Sequence, residues 1–206
     1  MYVPKHDAVS DAATLAQFME QYSFALLVTT QNGVPVATHL PLLLDGSRGP
    51  HGTLLGHIAR ANPQWQQLSG DALAIFHGPH AYVSPTWYGE PGFVPTWNYA
   101  AVHAYGPVRL IEDLEQAKVV LNRLVEKFES ALPSPWKVDP PDRFDTLAKA
   151  IVAFEIPITR LEGKWKLNGT HTPARQARVA AQLAQGDESA RQVAARMEKN
   201  LREAKG

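Results

Sequence analysis

The 206-residue sequence predicts a mainly β chain of the α+β class. Its expected centre is an antiparallel sheet of six to seven strands closed into a barrel, with flanking helices and a helical C-terminal appendage. Three observations carry this. Short β-type runs alternate with Gly/Pro turns over much of the chain, strands follow strands without the helical crossovers of a doubly wound α/β fold, and composition shifts to Ala, Gln and Arg from Thr172 onward.

The elements follow in order. Ser10 or Asp11 can cap a first helix, in which Ala12, Leu15, Phe18, Met19 and Tyr22 recur at helical spacing. FALLVTT (24–30) is a strand, Asn32-Gly33 a hairpin signal, and 34–45 the return strand, with Pro35 and Pro41 marking an edge or a bulge. A Gly-rich turn leads to the apolar strand TLLGHIA (53–59), and Asn62-Pro63 starts a short helix. DALAIFHG (71–78) is a strand, and more strands follow through Leu110. Asp113 opens the longest helical pattern, 132–142 is a Pro-rich loop, and AIVAFEI and ITRLEGKWKL are strand-like. Gly186 divides the C-terminal helical region in two.

Bulk composition bounds the function. Twenty basic and twenty acidic residues cancel, so no whole-chain field favours nucleic acid; the seven Arg/Lys against four Asp/Glu from Pro173 onward read as a solvated helix face. The absence of cysteine excludes disulfides, thiolate metal sites and cysteine nucleophiles. MYVPKHDAVSD lacks the basic head and apolar core of a signal peptide, and no apolar run approaches the roughly 20 residues that cross a bilayer. The expectation is a cytoplasmic protein without a membrane partner.

The segment from Phe76 to Tyr105 holds eight of the chain's eighteen Phe, Tyr and Trp residues, broken by prolines at 79, 85, 91 and 95. Interior prolines exclude a helix, so the run reads as strands and loops that present polar-tipped rings to a planar ligand or a second subunit; an aromatic core beneath a Pro-rich loop is the plainer alternative. At Gly56-His57-Ile58-Ala59-Arg60-Ala61-Asn62-Pro63 a strand ends, a cation follows and a helix begins. A helix N-terminus with a planar bidentate cation suits a phosphate, although an ordinary turn with a surface arginine has the same pattern. Gly56 inside a strand suggests close approach by a ligand or another backbone. Thr38 and His39, on a neighbouring strand, can add a hydroxyl and a ring donor. His77-Gly78-Pro79-His80 reads as a turn and has too few ligands for zinc, so no metal site is expected. No nucleophile elbow, dinucleotide fingerprint or P-loop is present.

The blocks MYVPKH, HLPLLLD, LLGHIARANPQW, FHGPHAYVSPTWY, VPTWNYAAVHAYGPVRLIED and RLEGKWKL occur in an order that resembles the PaiB family of FMN-binding negative transcriptional regulators, from Met1 to about Leu167. The resemblance implies an FMN-binding split barrel, related to pyridoxamine-phosphate oxidase-like proteins, over 1–170, with residues 171–206 as a helical extension packed on the barrel or its dimer mate. It further implies a homodimer with the flavin in a groove between subunits, and a regulatory or redox-sensing role; an FMN-dependent oxidoreductase acting on a small planar substrate is the alternative. The implied cofactor residues are Thr38, His39 and Leu40; Gly56, His57 and Ile58; Arg60 and Asn62 at the phosphate; Trp97, Asn98 and Tyr99 from the partner; and Lys166. No catalytic residue is assigned, and direct nucleic-acid binding is not expected. The family continues Ser-Gln-Asn after the KWKL block, whereas this chain has Asn168-Gly169-Thr170.

Overall fold

A computed structural model describes residues 1–68, 70–138 and 143–203. The chain runs through β1 (Ala8–Val9), α1 (Ala12–Gln21), β2 (Phe24–Gln31), β3 (Val34–Pro41), β4 (Leu43–Asp45), β5 (Thr53–Ala59), β6 (Asp71–Val83), β7 (Thr96–Pro107) and β8 (Arg109–Ile111). It continues through α2 (Leu114–Glu129), α3 (Arg143–Lys149), β9 (Ile151–Pro157), β10 (Arg160–Lys166), α4 (Pro173–Leu183) and α5 (Glu188–Glu203). Every recorded strand pairing is antiparallel, as the sequence predicts. Among the described residues no helix is long and apolar enough to cross a membrane. Two compact units form. One comprises Met1–Leu15, His77–Val102 and Glu162–Gly206, and the other Ala16–Phe76 and His103–Leu161.

In the second unit the Asn32-Gly33 signal produces its hairpin. Both residues have positive φ (49° and 81°), which matches the twist of β2 and β3 and pairs Phe24 with Pro41 through Gln31 with Val34. The first half of β6 joins the other edge of β2. The return segment, expected as one strand over 34–45, is two. Pro41 has no N–H to continue a ladder, Leu42 is buried, and β4 then pairs with β5 in a second sheet ordered β4-β5-β9-β8. Asp113 caps α2 by accepting from the Gln116 amide at 2.8 Å. That helix buries Val120 and Leu124 against Leu43, Leu55 and Ile111. At Gly106 an added Cβ would stand 2.0 Å from the Pro157 carbonyl oxygen, so the strand backbones come closer there than any side chain allows.

In the first unit β1 pairs with β10, and the strand order continues through β7 to the second half of β6. The turn expected at His77-Gly78-Pro79-His80 is absent: β6 runs straight through it. Pro79 offers no donor, and the next polar groups are met from outside the sheet. The Ser189 hydroxyl accepts from the His80 amide at 2.9 Å and donates to the His80 carbonyl at 2.7 Å. The helices beyond residue 170 share one core with the strand: Val179, Leu183, Val193 and Met197 pack with Val83, Tyr88 and Leu167.

Candidate functional site

The predicted site residues fall into two groups, one in each unit. In the second unit, Thr38, His39 and Leu40 lie on β3, Gly56, His57 and Ile58 on β5, and Arg60 and Asn62 on the turn that leaves β5. A short 3-10 turn, Pro63–Gln67, follows. Asn62 ties this group together. Its Oδ1 accepts from the Gln64 amide at 3.0 Å and its Nδ2 donates to Thr38 Oγ1 at 3.0 Å. Thr38 Oγ1 in turn donates to Gln64 Oε1. Gln64 is only 2% exposed, and its Nε2 donates to Thr29 Oγ1 at 2.9 Å and to the Val36 carbonyl at 3.2 Å. Sequence reasoning missed Gln64, because a glutamine in the first turn of a short helix carries no burial signal. β3 alternates, with Thr38 and Leu40 turned inward and His39 exposed beside Phe24 at a ring separation of 6.2 Å.

Arg60 is exposed, but its guanidinium is not idle. Nε donates to the Lys149 carbonyl and Nη2 to the Ile151 carbonyl, each at 2.9 Å. Among the described residues Nη1 has no recorded hydrogen bond. The backbone amides expected to cradle a phosphate are engaged elsewhere: Arg60 N–H donates to the Ala150 carbonyl and Asn62 N–H to the Ala59 carbonyl, each at 2.9 Å. Gly56 also departs from the sequence-based reason for it. A Cβ there would meet Leu42 Cδ2 at 2.7 Å and Phe154 Cζ at 3.0 Å, so the protein's own side chains pack closely against the glycine. Ile58 is buried in that packing. His57 Nδ1 is buried without a recorded hydrogen-bond partner, and burial holds the ring's pKa below the ordinary histidine value, which keeps it neutral near pH 7.

In the first unit β7 divides the trio at 97–99 between its faces. Trp97 is 53% exposed and meets Tyr82 edge-on at 6.0 Å. Asn98 is 0% exposed, with Nδ2 3.4 Å from Met197 Sδ. Its amide nitrogen thus lies against α5, while Oδ1 is buried without a hydrogen-bond partner. Tyr99 returns to the Trp97 face, where the Lys164 ammonium lies 5.4 Å from its ring. Lys166, on β10, donates from Nζ to the Trp97 carbonyl at 2.7 Å and to Thr96 Oγ1. Burial pushes the Lys166 pKa down, Lys164 adds to this, and the Asp7 carboxylate works against it. Asn168 takes a left-handed conformation (φ 60°), which asparagine tolerates, and its Nδ2 donates to the Tyr88 hydroxyl at 3.0 Å. The Asn-Gly pair that replaces the family's usual residues was the available signal for this turn.

The residues fit a flavin mononucleotide in part. An aligned guanidinium with one unengaged arm and a neutral, unsatisfied imidazole suit a phosphate and a polar flavin edge; the Arg60 and Asn62 backbone amides are already engaged within the chain.

Solved structures place this fold. The flavocytochrome Anf3 of Azotobacter vinelandii aligns with a TM-score of 0.61 at 16% identity, over 80% of this chain and 72% of that one. The FAD and heme binding protein of Mycobacterium smegmatis gives 0.59 at 15% identity, over 78% and 73%. The chain is an α+β antiparallel split barrel. The family described as "Putative FMN-binding domain" matches residues 1–160, which makes the cofactor class a flavin. Over 208 residues the chain is 38% identical to the "Protease synthase and sporulation protein PAI 2" of Bacillus subtilis (strain 168), covering 98% of this chain and 99% of that protein. An uncharacterized protein of Emericella nidulans is 32% identical over 82% of this chain and 84% of its own length. The chain belongs to the PaiB family of FMN-binding proteins.

Proposed function

We propose that the protein is a homodimeric FMN-binding regulator of PaiB type, a negative transcriptional regulator that senses flavin state. The observation that supports the site is the Asn62–Thr38 hydrogen bond, which locks the β5 exit turn to β3. In this reading Arg60 would hold the phosphate through Nη1, His57 would offer its unsatisfied nitrogen, and Thr38, His39 and Leu40 would border the ribityl chain. Trp97 and Tyr99 would come from the partner subunit. When bound, the flavin supplies reversible electron chemistry; the chain's residues bind it, orient it and exclude water.

The zero net charge argues against direct DNA contact, so repression would pass through another partner. The test is an absorbance and fluorescence titration with FMN at tens of micromolar, a concentration that fills even a modest site. Sedimentation and NAD(P)H oxidation are measured on the same samples. A shifted, quenched flavin on an inert dimer supports the proposal. Turnover of a nicotinamide would favour the oxidoreductase alternative, and an unshifted flavin would overturn both.

A further inference from the structure

A cavity of about 220 Å³ lies wholly within the first unit. Its volume falls below the roughly 300 Å³ at which drug-sized pockets begin, so its occupant is small. Aromatic groups form part of its lining. Phe93 lies 5.4 Å from His171, and Tyr88 stacks on the same imidazole at 4.7 Å and 7°. This part is held in place. Arg175 pairs with Glu90 at 2.5 Å, and Arg178 Nη2 donates to the Tyr88 carbonyl, which fixes the loop that carries Phe93.

The same cavity is lined by groups of opposite charge. Lys166 has two of its ammonium protons engaged by Thr96 and Trp97, which aims the head group and leaves one donor. The Asp7 side chain is 5% exposed and has His6 Nε2 3.8 Å away. A simple anion here would add charge beside a buried carboxylate, and a simple cation would do the same beside the ammonium. Like charges in a low-dielectric site repel strongly, so the lining favours a ligand that carries both an acceptor and a donor.

We propose that this cavity binds a small planar amphoteric molecule, an aromatic carboxylic acid that also bears a hydrogen-bond donor. Its carboxylate pairs with Lys166, its donor meets Asp7, and its ring lies against Phe93 and His171. Thr96 and Asn168 supply neutral polar contacts at the edges. The buried position of Tyr88 and the close approach of Gly169, whose added Cβ would stand 3.3 Å from the His6 carbonyl, keep the cavity narrow. This site is independent of the flavin proposal.

The probes are 3- and 4-aminobenzoate, with benzoate lacking the donor and aniline lacking the acid. Each is titrated calorimetrically into the 206-residue chain, with and without FMN. At least one aminobenzoate should bind tenfold or more tightly than benzoate and aniline. Lys166→Met should remove the advantage over aniline, and Asp7→Asn the advantage over benzoate. Val94→Trp, at a cavity-lining residue 74% exposed, fills the mouth without touching the core and should abolish binding. Equal binding of all probes, binding that survives Val94→Trp, or no heat at about 10 mM, where a millimolar site is filled, overturns the proposal. So does displacement of the aminobenzoate by FMN, which would assign the cavity to the flavin. Failure of the chain to bind FMN leaves this proposal standing.

Discussion

The Arg60 guanidinium donates from Nη2 to the carbonyl oxygen of Ile151 at 2.9 Å, and from Nε to that of Lys149. One side chain therefore holds the end of α3 and the start of β9 while presenting its remaining arm outward. Arg60→Ala should act twice. Flavin mononucleotide affinity should fall roughly ten- to hundredfold, from the loss of a charge-assisted hydrogen bond of about 1.5–3 kcal/mol. Riboflavin affinity should hardly change, since it has no phosphate. The melting temperature should also drop by about 2–4 °C for each kcal/mol of lost backbone bonding. Parallel titrations with both flavins and a thermal melt check this. Equal weakening of both flavins would show that Arg60 acts only through the fold.

Gln64→Leu should destabilise the protein by about 2–3 kcal/mol, because it leaves the Val36 carbonyl and the Thr29 and Thr38 hydroxyls without their amide partner. Urea unfolding measures the loss. A change below about 0.5 kcal/mol, the size of an ordinary surface substitution, would mean that water replaces the amide freely.

Asn98→Leu should leave flavin affinity unchanged and raise or hold the melting temperature. Asn98 Oδ1 is buried without a recorded partner, and replacing an unsatisfied amide with an apolar group of similar shape removes a penalty of about 1–3 kcal/mol. A tenfold loss of flavin binding at unchanged stability would instead put Asn98 at the ligand site.

The buried His57 gives a pH signature. Its folded pKa is depressed by burial, so on acidification the unfolded chain takes up the proton first. Stability should therefore decline as pH falls below the ordinary histidine value of about 6.5, and continue to decline until the folded ring protonates. His77, depressed by burial and by His80, acts in the same direction. Melting temperatures at pH 8, 7, 6 and 5 should fall, and His57→Gln should make the fall shallower. An unaltered slope in the variant would show that the His57 ring gains its proton as easily folded as unfolded.

The sequence by itself determined the local elements, because their signals act over a few residues. Asn32-Gly33 can hardly avoid a hairpin turn, Asp113 caps the helix it precedes, and short β-type runs such as 24–30 identify strands. It also determined the family, through ordered blocks that span most of the chain. Only the tertiary structure decided what those residues touch. Pro79 looked like a turn until Ser189, far along the chain, met the backbone groups of His80. Gly56 looked like a ligand approach until Leu42 and Phe154 filled the space beside it. Nothing near Asn98 in the sequence announced that Met197 of α5 would lie against its amide, nor near Arg60 that the end of α3 would supply an acceptor. In each case the deciding partner is distant in sequence, and short-range periodicity carries no record of which distant atom will satisfy a given donor or fill a given space.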